Sequence, residues 1–222
     1  GHVVGATITT YLLERSRIVY QDPQERNYHI FYQLCAGATT EERERLHLLP
    51  ATEYNYLNQS GCWVIPGVDD AQEYRHTMNA MSEVGLSQEE QEGAKQILAG
   101  LLWMGQIIFI PTENDAASVQ NQQALEYAAE LLGFDVDFFQ RTLLARTFTD
   151  AARNQQSFLK IPLKVPEAYN ARNTLAKAIY QKLFDWLVIR INDGLRTNAD
   201  VHAYIGVLDI FGFESFETNS FE

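Results

Sequence analysis

The stretch Val207-Leu208-Asp209-Ile210-Phe211-Gly212-Phe213-Glu214-Ser215-Phe216-Glu217, VLDIFGFESFE, decides how the chain is read. An apolar run that begins at Ala203 passes through Tyr204, Ile205 and Val207, then meets an acid, a glycine and a second acid. A continuous apolar run of this kind predicts a strand buried on two sides of a sheet. In doubly wound sheets, ligands bind beyond the carboxyl ends of the strands, where loops converge. A carboxylate at that point reaches the hydration shell of a phosphate-bound Mg²⁺, because a hard cation that keeps its waters favours oxygen donors. A glycine there lets the backbone approach a phosphate and offer its N–H without a Cβ in the way. Asp209, Gly212 and Glu214 therefore have the layout of a nucleotide-sensing loop, with Glu214 placed to orient a water or to hold a second loop. Three residues alone leave open the alternative of a plain turn after a core strand.

Composition sets the frame. The 222 residues are long enough for one or two domains, with 46% hydrophobic, 21% charged and 12% aromatic residues. That is the profile of a folded globular chain and excludes a disordered one. The formal net charge of −12 argues against nucleic acid as a partner, since duplex binding needs a basic face. The charge is unevenly spread. Arg141–Arg190 holds nine basic residues against Asp150, Glu167 and Asp185, a local +6, which leaves −18 for the rest. Such asymmetry marks either a docking surface for an acidic partner or a solvated basic helix face. Cys35 and Cys62 show no pairing pattern and read as reduced thiols of an intracellular protein. No apolar run is long enough to span a bilayer, and no direct membrane contact is expected.

Along the chain, Val4–Leu13 is rich in strand formers and predicts a strand. An aromatic-faced helix follows, with Pro23 near its start, Gly37 near its end, and Tyr28, Phe31, Tyr32, Leu34 and Cys35 on the core side. A short charged helix ends by Pro50. Asp69–Asp70 can cap the next helix, and Ser87 with Glu90 spells a capping box that opens an apolar-periodic helix through Ile97, Leu98, Leu101 and Leu102. A short strand ends at Pro111, and the polar run Thr112–Gln123 reads as a surface loop. Gly133 caps a further helix, and a short one follows through Phe138–Leu144. Pro162 and Pro166 predict an extended, hairpin-like excursion after Ala145. Arg172–Asp193 then has a strong amphipathic helix pattern, with Leu175, Ile179, Leu183, Trp186 and Leu187 on one face. The five histidines show no metal-like spacing. Strand, helices and final buried strand together imply an α/β fold with a helical insertion.

The strings TYLLERSR (10–17), ERNYHIFYQL (25–34), LNQSGC (57–62), NTLAKAIYQKLFDWLV (173–188) and DIFGFESFETNSFE (209–222) closely resemble the myosin motor domain, in order and across the whole chain. The resemblance implies a P-loop NTPase-like α/β fold. Residues 1–222 would be part of a motor domain, a helix-rich upper 50-kilodalton region with strands of the central sheet, and residues 203–217 would hold a strand and switch II. It implies ATP and Mg²⁺ as cofactors. Asp209 would then lie in the second coordination shell of Mg²⁺, Gly212 would donate its amide to the γ-phosphate, and Glu214 would pair with a switch I arginine and help position the attacking water. The Gly-rich phosphate loop and switch I are not found in these residues, so the chain is expected to be a fragment that does not hydrolyse ATP alone. The alternative is a catalytically inactive, actin-binding or scaffold module.

The same resemblance gives the basic stretch a meaning. Roughly Arg146–Asn170 would be an actin-contacting loop, with Arg153, Lys160 and Lys164 facing the acidic filament. Sixteen positions before the family's DALAK-type motif, here Asn173–Lys177, stands Ser157, where the family carries an acidic or phosphorylatable residue. Phosphorylation there would add about −1.5 to −2 charges. The Thr112–Gln123 loop matches a second surface loop of the family, and its acidic character argues against direct actin contact. The actin filament is the expected partner, the cytoplasm and actin cytoskeleton the expected location, and light chains or calmodulin would bind only through a neck outside these residues. Ser157 and the FDWLV segment fit unconventional myosins better than filament-forming ones.

Overall fold

The computed structural model describes residues 2–149 and 158–209. Its elements follow local sequence signals closely where those signals are helix caps. Helix α1 (His29–Gly37) buries Phe31, Tyr32, Leu34 and Cys35, so the aromatic stripe is core. Helix α2 (Thr40–Arg45) opens with a capping box: Thr39 Oγ1 accepts the Glu42 N–H, and the Glu42 carboxylate accepts the Thr39 N–H. Asp69 caps α3 (Asp70–Glu83), accepting the N–H groups of Ala71 and Gln72. Ser87 and Glu90 form the expected capping box of α4 (Gln88–Gln106). Helix α5 (Gln122–Leu132) ends at Gly133 with φ 70°, a left-handed cap that a side chain would strain. Asp135 caps α6 (Val136–Leu144).

Among the described residues, four short strands pair into two separate two-stranded sheets. Strand β1 (Phe109–Pro111) pairs antiparallel with β2 (Ala117–Val119), in the register Phe109↔Val119. Strand β3 (Ala145–Thr149) pairs antiparallel with β4 (Phe158–Pro162), with Arg146 opposite Ile161 and Thr147 opposite Lys160. The supposed loop at Thr112–Gln123 thus contains a strand. Alternation is hard to see across three residues, and the pairing is supplied by β1.

Helix α7 (Val165–Leu195) starts seven residues earlier than the periodicity at Arg172 suggested, with Pro166 inside its first turn. Proline costs nothing there, because the first N–H groups of a helix have no intrahelical partner anyway. Its fully buried stripe is Ala168, Arg172, Ala176 and Tyr180. The expected Leu175–Leu187 face is only half-buried, so small residues let α7 approach its neighbours while the leucines line the flanks.

Two expected strands are absent from the described residues. Val4–Leu13 is extended but makes no sheet, and the side-chain amide of Asn192 takes the Ile8 N–H at 2.7 Å and donates to the Ile8 carbonyl at 2.9 Å. The α7 terminus therefore occupies backbone groups that a neighbouring strand would use. Residues 203–209 are likewise irregular, with Tyr204 91% and Ile205 95% exposed rather than buried. A strand exists through its partner, and no partner lies among the described residues. Pro23 also lies outside α1, in a turn before it. There Asn27 pins the chain, donating to the carbonyls of Ile18 and Tyr56.

The core is built around α4, which is buried on all sides from Leu98 to Gly105. Helix α5 packs on one side and α7 on another. At Gly105 a Cβ would come within 2.8 Å of the Tyr56 ring, so close approach needs glycine. Helices α4 and α7 are fastened at two ends. Arg172 donates to the carbonyls of Gly105 at 3.2 Å, in the last turn of α4, and of Ile107 at 2.8 Å, its C-cap, and lies against the rings of Tyr56 and Tyr169. At the other end, Arg190 forms a two-pronged pair with Glu90 at 2.6 and 3.2 Å, in the first turn of α4. Each charge complements the local end of the helix dipole. Between these points lies Lys95, buried and paired with Glu42 and Glu92, which ties α2 to α4.

Arg172→Met should destabilise the protein by about 2 kcal/mol or more, because the Ile107 carbonyl loses its charged donor. Arg172→Lys should recover only part of this in chemical denaturation, since one ammonium cannot reproduce the fork and the ring contacts. The hydrogen bond from Arg190 holds the Glu90 carboxyl down to about 2. Its contribution is present above the ordinary carboxylate value of 4.5 and lost as pH falls toward 2. Glu90→Gln should flatten the pH dependence of unfolding in that window and leave it unchanged near neutrality.

Candidate functional site

The two hairpins and the start of α7 form one surface. Leu163, 3% exposed, welds them: its N–H donates to the Leu144 carbonyl at 2.8 Å, and its carbonyl accepts the Ala117 N–H at 2.7 Å. From this anchor β3 and β4 project into solvent, with Arg146, Lys160 and Ile161 exposed. Cross-strand partners share a face, so Lys160 sits with Thr147 on one side and Arg146 with Ile161 on the other. Lys164 immediately precedes α7, where the Glu167 carboxylate accepts its backbone N–H at 2.9 Å. Tyr169 braces the same corner, its hydroxyl accepting the Phe109 N–H and its ring packing edge-on to Phe109.

The surface is less openly basic than the sequence count implied. Arg172 is buried under α4, Arg190 is committed to Glu90, and Arg146 lies 3.8 Å from Glu167. Lys164 is paired with Asp115 of the β1–β2 turn at 2.6 Å, and that carboxylate raises the Lys164 ammonium above its usual value. The described residues of the stretch 146–170 belong to the paired strands β3 and β4 and the first turns of α7. Arg153 and Ser157 lie outside the described residues.

Of the nucleotide-loop residues, Asp209 is exposed at the end of the described chain, and Gly212 and Glu214 lie outside the described residues. Among the described residues no group of three or more His, Cys, Asp or Glu is placed to hold a metal ion. The thiols are free, Cys35 buried and Cys62 partly so, and burial pushes Cys35 up to about 12. An apolar cavity of about 460 Å³ lies between α1, α3, α4 and the second half of α7, lined by Met78, Met81, Leu98, Phe184 and Leu187. Its one ammonium, Lys95, is already committed to two carboxylates, so it carries no convergent chemistry. No helix among the described residues is long and apolar enough to cross a membrane.

Sequence reasoning missed the polar ties that position these elements. Arg172, Lys95 and Arg26, which pairs with Asp70 at 2.9 Å and covers the Tyr32 ring, are buried charges. Their available signal was a charge set within an apolar helix stripe, as at Lys95 and Arg172.

The chain matches the family model of the myosin head (motor domain) over residues 1–222. It belongs to that family, and its helix-rich architecture with small sheets is a piece of the corresponding α/β, P-loop NTPase-like fold. It is 43% identical over 223 residues to Myosin-1 of Emericella nidulans, covering 100% of this chain and 18% of that relative. It is 46% identical to Myosin-2 of Saccharomyces cerevisiae, covering 99% of this chain and 14% of that protein. It is 44% identical to human unconventional myosin-Va, covering 99% and 12%. The chain therefore spans less than a fifth of the length of these curated relatives.

Proposed function

We propose that these residues work within a longer actin-based, ATP-hydrolysing cytoskeletal motor, in which they supply a γ-phosphate sensor and a filament-contacting hairpin. The observation that carries this reading is the unbroken string Asp209-Ile210-Phe211-Gly212-Phe213-Glu214 inside a family match that covers the whole chain. Asp209 offers one exposed carboxylate. A single hard oxygen donor suits hydrogen bonding to the waters of a hydrated Mg²⁺ better than direct ligation. When bound, Mg²⁺ and ATP supply the phosphate to be cleaved and the cation that offsets its charge. The roles of the chain's own residues are then distinct. Asp209 accepts from metal-bound water, the Gly212 N–H donates to a γ-phosphate oxygen, and Glu214 anchors a facing arginine and orients the attacking water. Phosphoryl transfer to water depends mainly on such positioning and charge.

On the outer face, Lys160 and Lys164, with Arg153, provide the positive charge for an acidic filament, and Ser157 is the point at which phosphorylation adjusts it. The Asp115–Lys164 pair and the projection of β3–β4 support a role for this face in exchange with a charged partner.

In the full-length protein, Glu214→Ala should lower ATP turnover by about a hundredfold or more while nucleotide still binds. Turnover equal to wild type would remove the role assigned to Glu214. Ser157→Glu should give faster actin-activated turnover than Ser157→Ala, measured as phosphate release at several filament concentrations. Identical rates would remove the switch at Ser157.

A further inference from the structure

The Thr112–Gln123 segment was expected to stay away from any acidic partner because it is itself acidic, yet the structure brings its acid against a basic residue of the hairpin surface. The β1–β2 turn is closed by Thr112, whose N–H donates to the Ala116 carbonyl at 2.7 Å and whose carbonyl accepts the Asp115 N–H at 3.0 Å. Asp115 adopts φ 59°, a left-handed conformation that aspartate and asparagine tolerate better than most residues. This turn aims the Asp115 carboxylate at the Lys164 ammonium, 2.6 Å away. The backbone on both sides is fixed independently of the pair. Leu163 joins the hairpins through main-chain hydrogen bonds, and Glu167 holds the Lys164 N–H.

The pair is therefore not a structural rivet. Both side chains are open to water, 67% exposed at Lys164 and 69% at Asp115. Ion pairs in such settings are weak and readily exchanged. What the pair does fix is direction: it points a mobile four-carbon side chain toward the β1–β2 turn instead of outward beside β4. Asp115 presents to Lys164 the same group that an acidic protein surface would present.

We propose that Asp115 is an intramolecular competitor for Lys164, so that the β1–β2 turn holds the ammonium until an acidic partner surface displaces it. The inference rests on the reading of this face as filament-contacting. It makes the turn a brake on binding, acting through one lysine rather than through bulk repulsion. The other charges nearby are Glu113 on the turn and Arg146 and Glu167 at the hairpin base.

The test is a double-mutant cycle on the full-length protein, using wild type, D115N, K164Q and D115N/K164Q, with binding to actin filaments measured by cosedimentation at low and high salt. D115N keeps the side-chain shape and the left-handed turn. It should tighten binding about two- to fivefold at low salt, with the gain shrinking as salt rises. K164Q should weaken binding, and D115N should give no gain in the K164Q background. D115G, which also accepts positive φ, should reproduce D115N. Filament binding that D115N leaves unchanged overturns the brake while leaving the filament reading standing. A D115N gain that persists with K164Q shows repulsion by charge alone and also overturns it. Absence of filament binding by all four proteins overturns the filament reading, and this inference with it.

Discussion

Two helices of unequal length, α4 and α7, have to run alongside each other for the rest of the protein to find its place, and charged side chains at their ends fix how they do so. Arg172 accomplishes this by leaving the surface entirely. Its guanidinium replaces water for main-chain carbonyls at the C-terminal end of α4 and lies against two tyrosine rings. Burying an unpaired charge is costly, and the cost is met here by carbonyl dipoles and by the negative end of α4 rather than by a carboxylate. Glu90 has a double task at the opposite end. It closes the capping box of α4 and receives Arg190, so one carboxylate both starts a helix and locates its neighbour. With α4 and α7 set, α5 packs on α4, and the corner before α7 can carry two hairpins.

The legibility of this fold from its sequence tracks the range of the interactions involved. Asp69, Ser87 and Gly133 act on backbone within a few residues of themselves, and each of these helix ends falls where the sequence placed it. The aromatic stripe of α1 was also readable, because helical periodicity is local. What was not readable depends on distant partners. Nothing near Lys95 in sequence announces Glu42, 53 positions away, and nothing near Arg172 announces the carbonyl of Gly105. The stripe that α7 buries is carried by alanines, an arginine and a tyrosine, so ranking residues by hydrophobicity chose the wrong face. The strand expectations failed for a related reason: Val4–Leu13 has strand-forming side chains, but a sheet is a property of pairs of segments.

The face around the β3–β4 hairpin shows the same division. Composition located a basic region correctly in sequence, but counting charges treated all nine as equivalent. Folding gives four of them different fates: Arg172 is a buried clamp, Arg190 a helix-end tie, Lys164 is held by a neighbouring turn, and Lys160 is exposed on the hairpin. The acidic loop that seemed unrelated to this region is joined to it by the backbone at Leu163. The roles proposed for Asp209, Gly212 and Glu214 rest on the family match, since a pattern of three residues carries no such assignment alone.

The irregular segments flanking the helical body have a consequence for how these residues behave in isolation. Tyr204, Ile205, Val207 and Leu208, together with Val3, Tyr11 and Leu12, present apolar side chains to solvent. Such segments pair indiscriminately with any exposed edge, including that of another nascent chain. The helical body rests on local caps and close helix contacts, whereas these segments add apolar surface that no described element covers. When these residues are produced on their own, the exposed apolar segments are expected to limit solubility more than the strength of the core does.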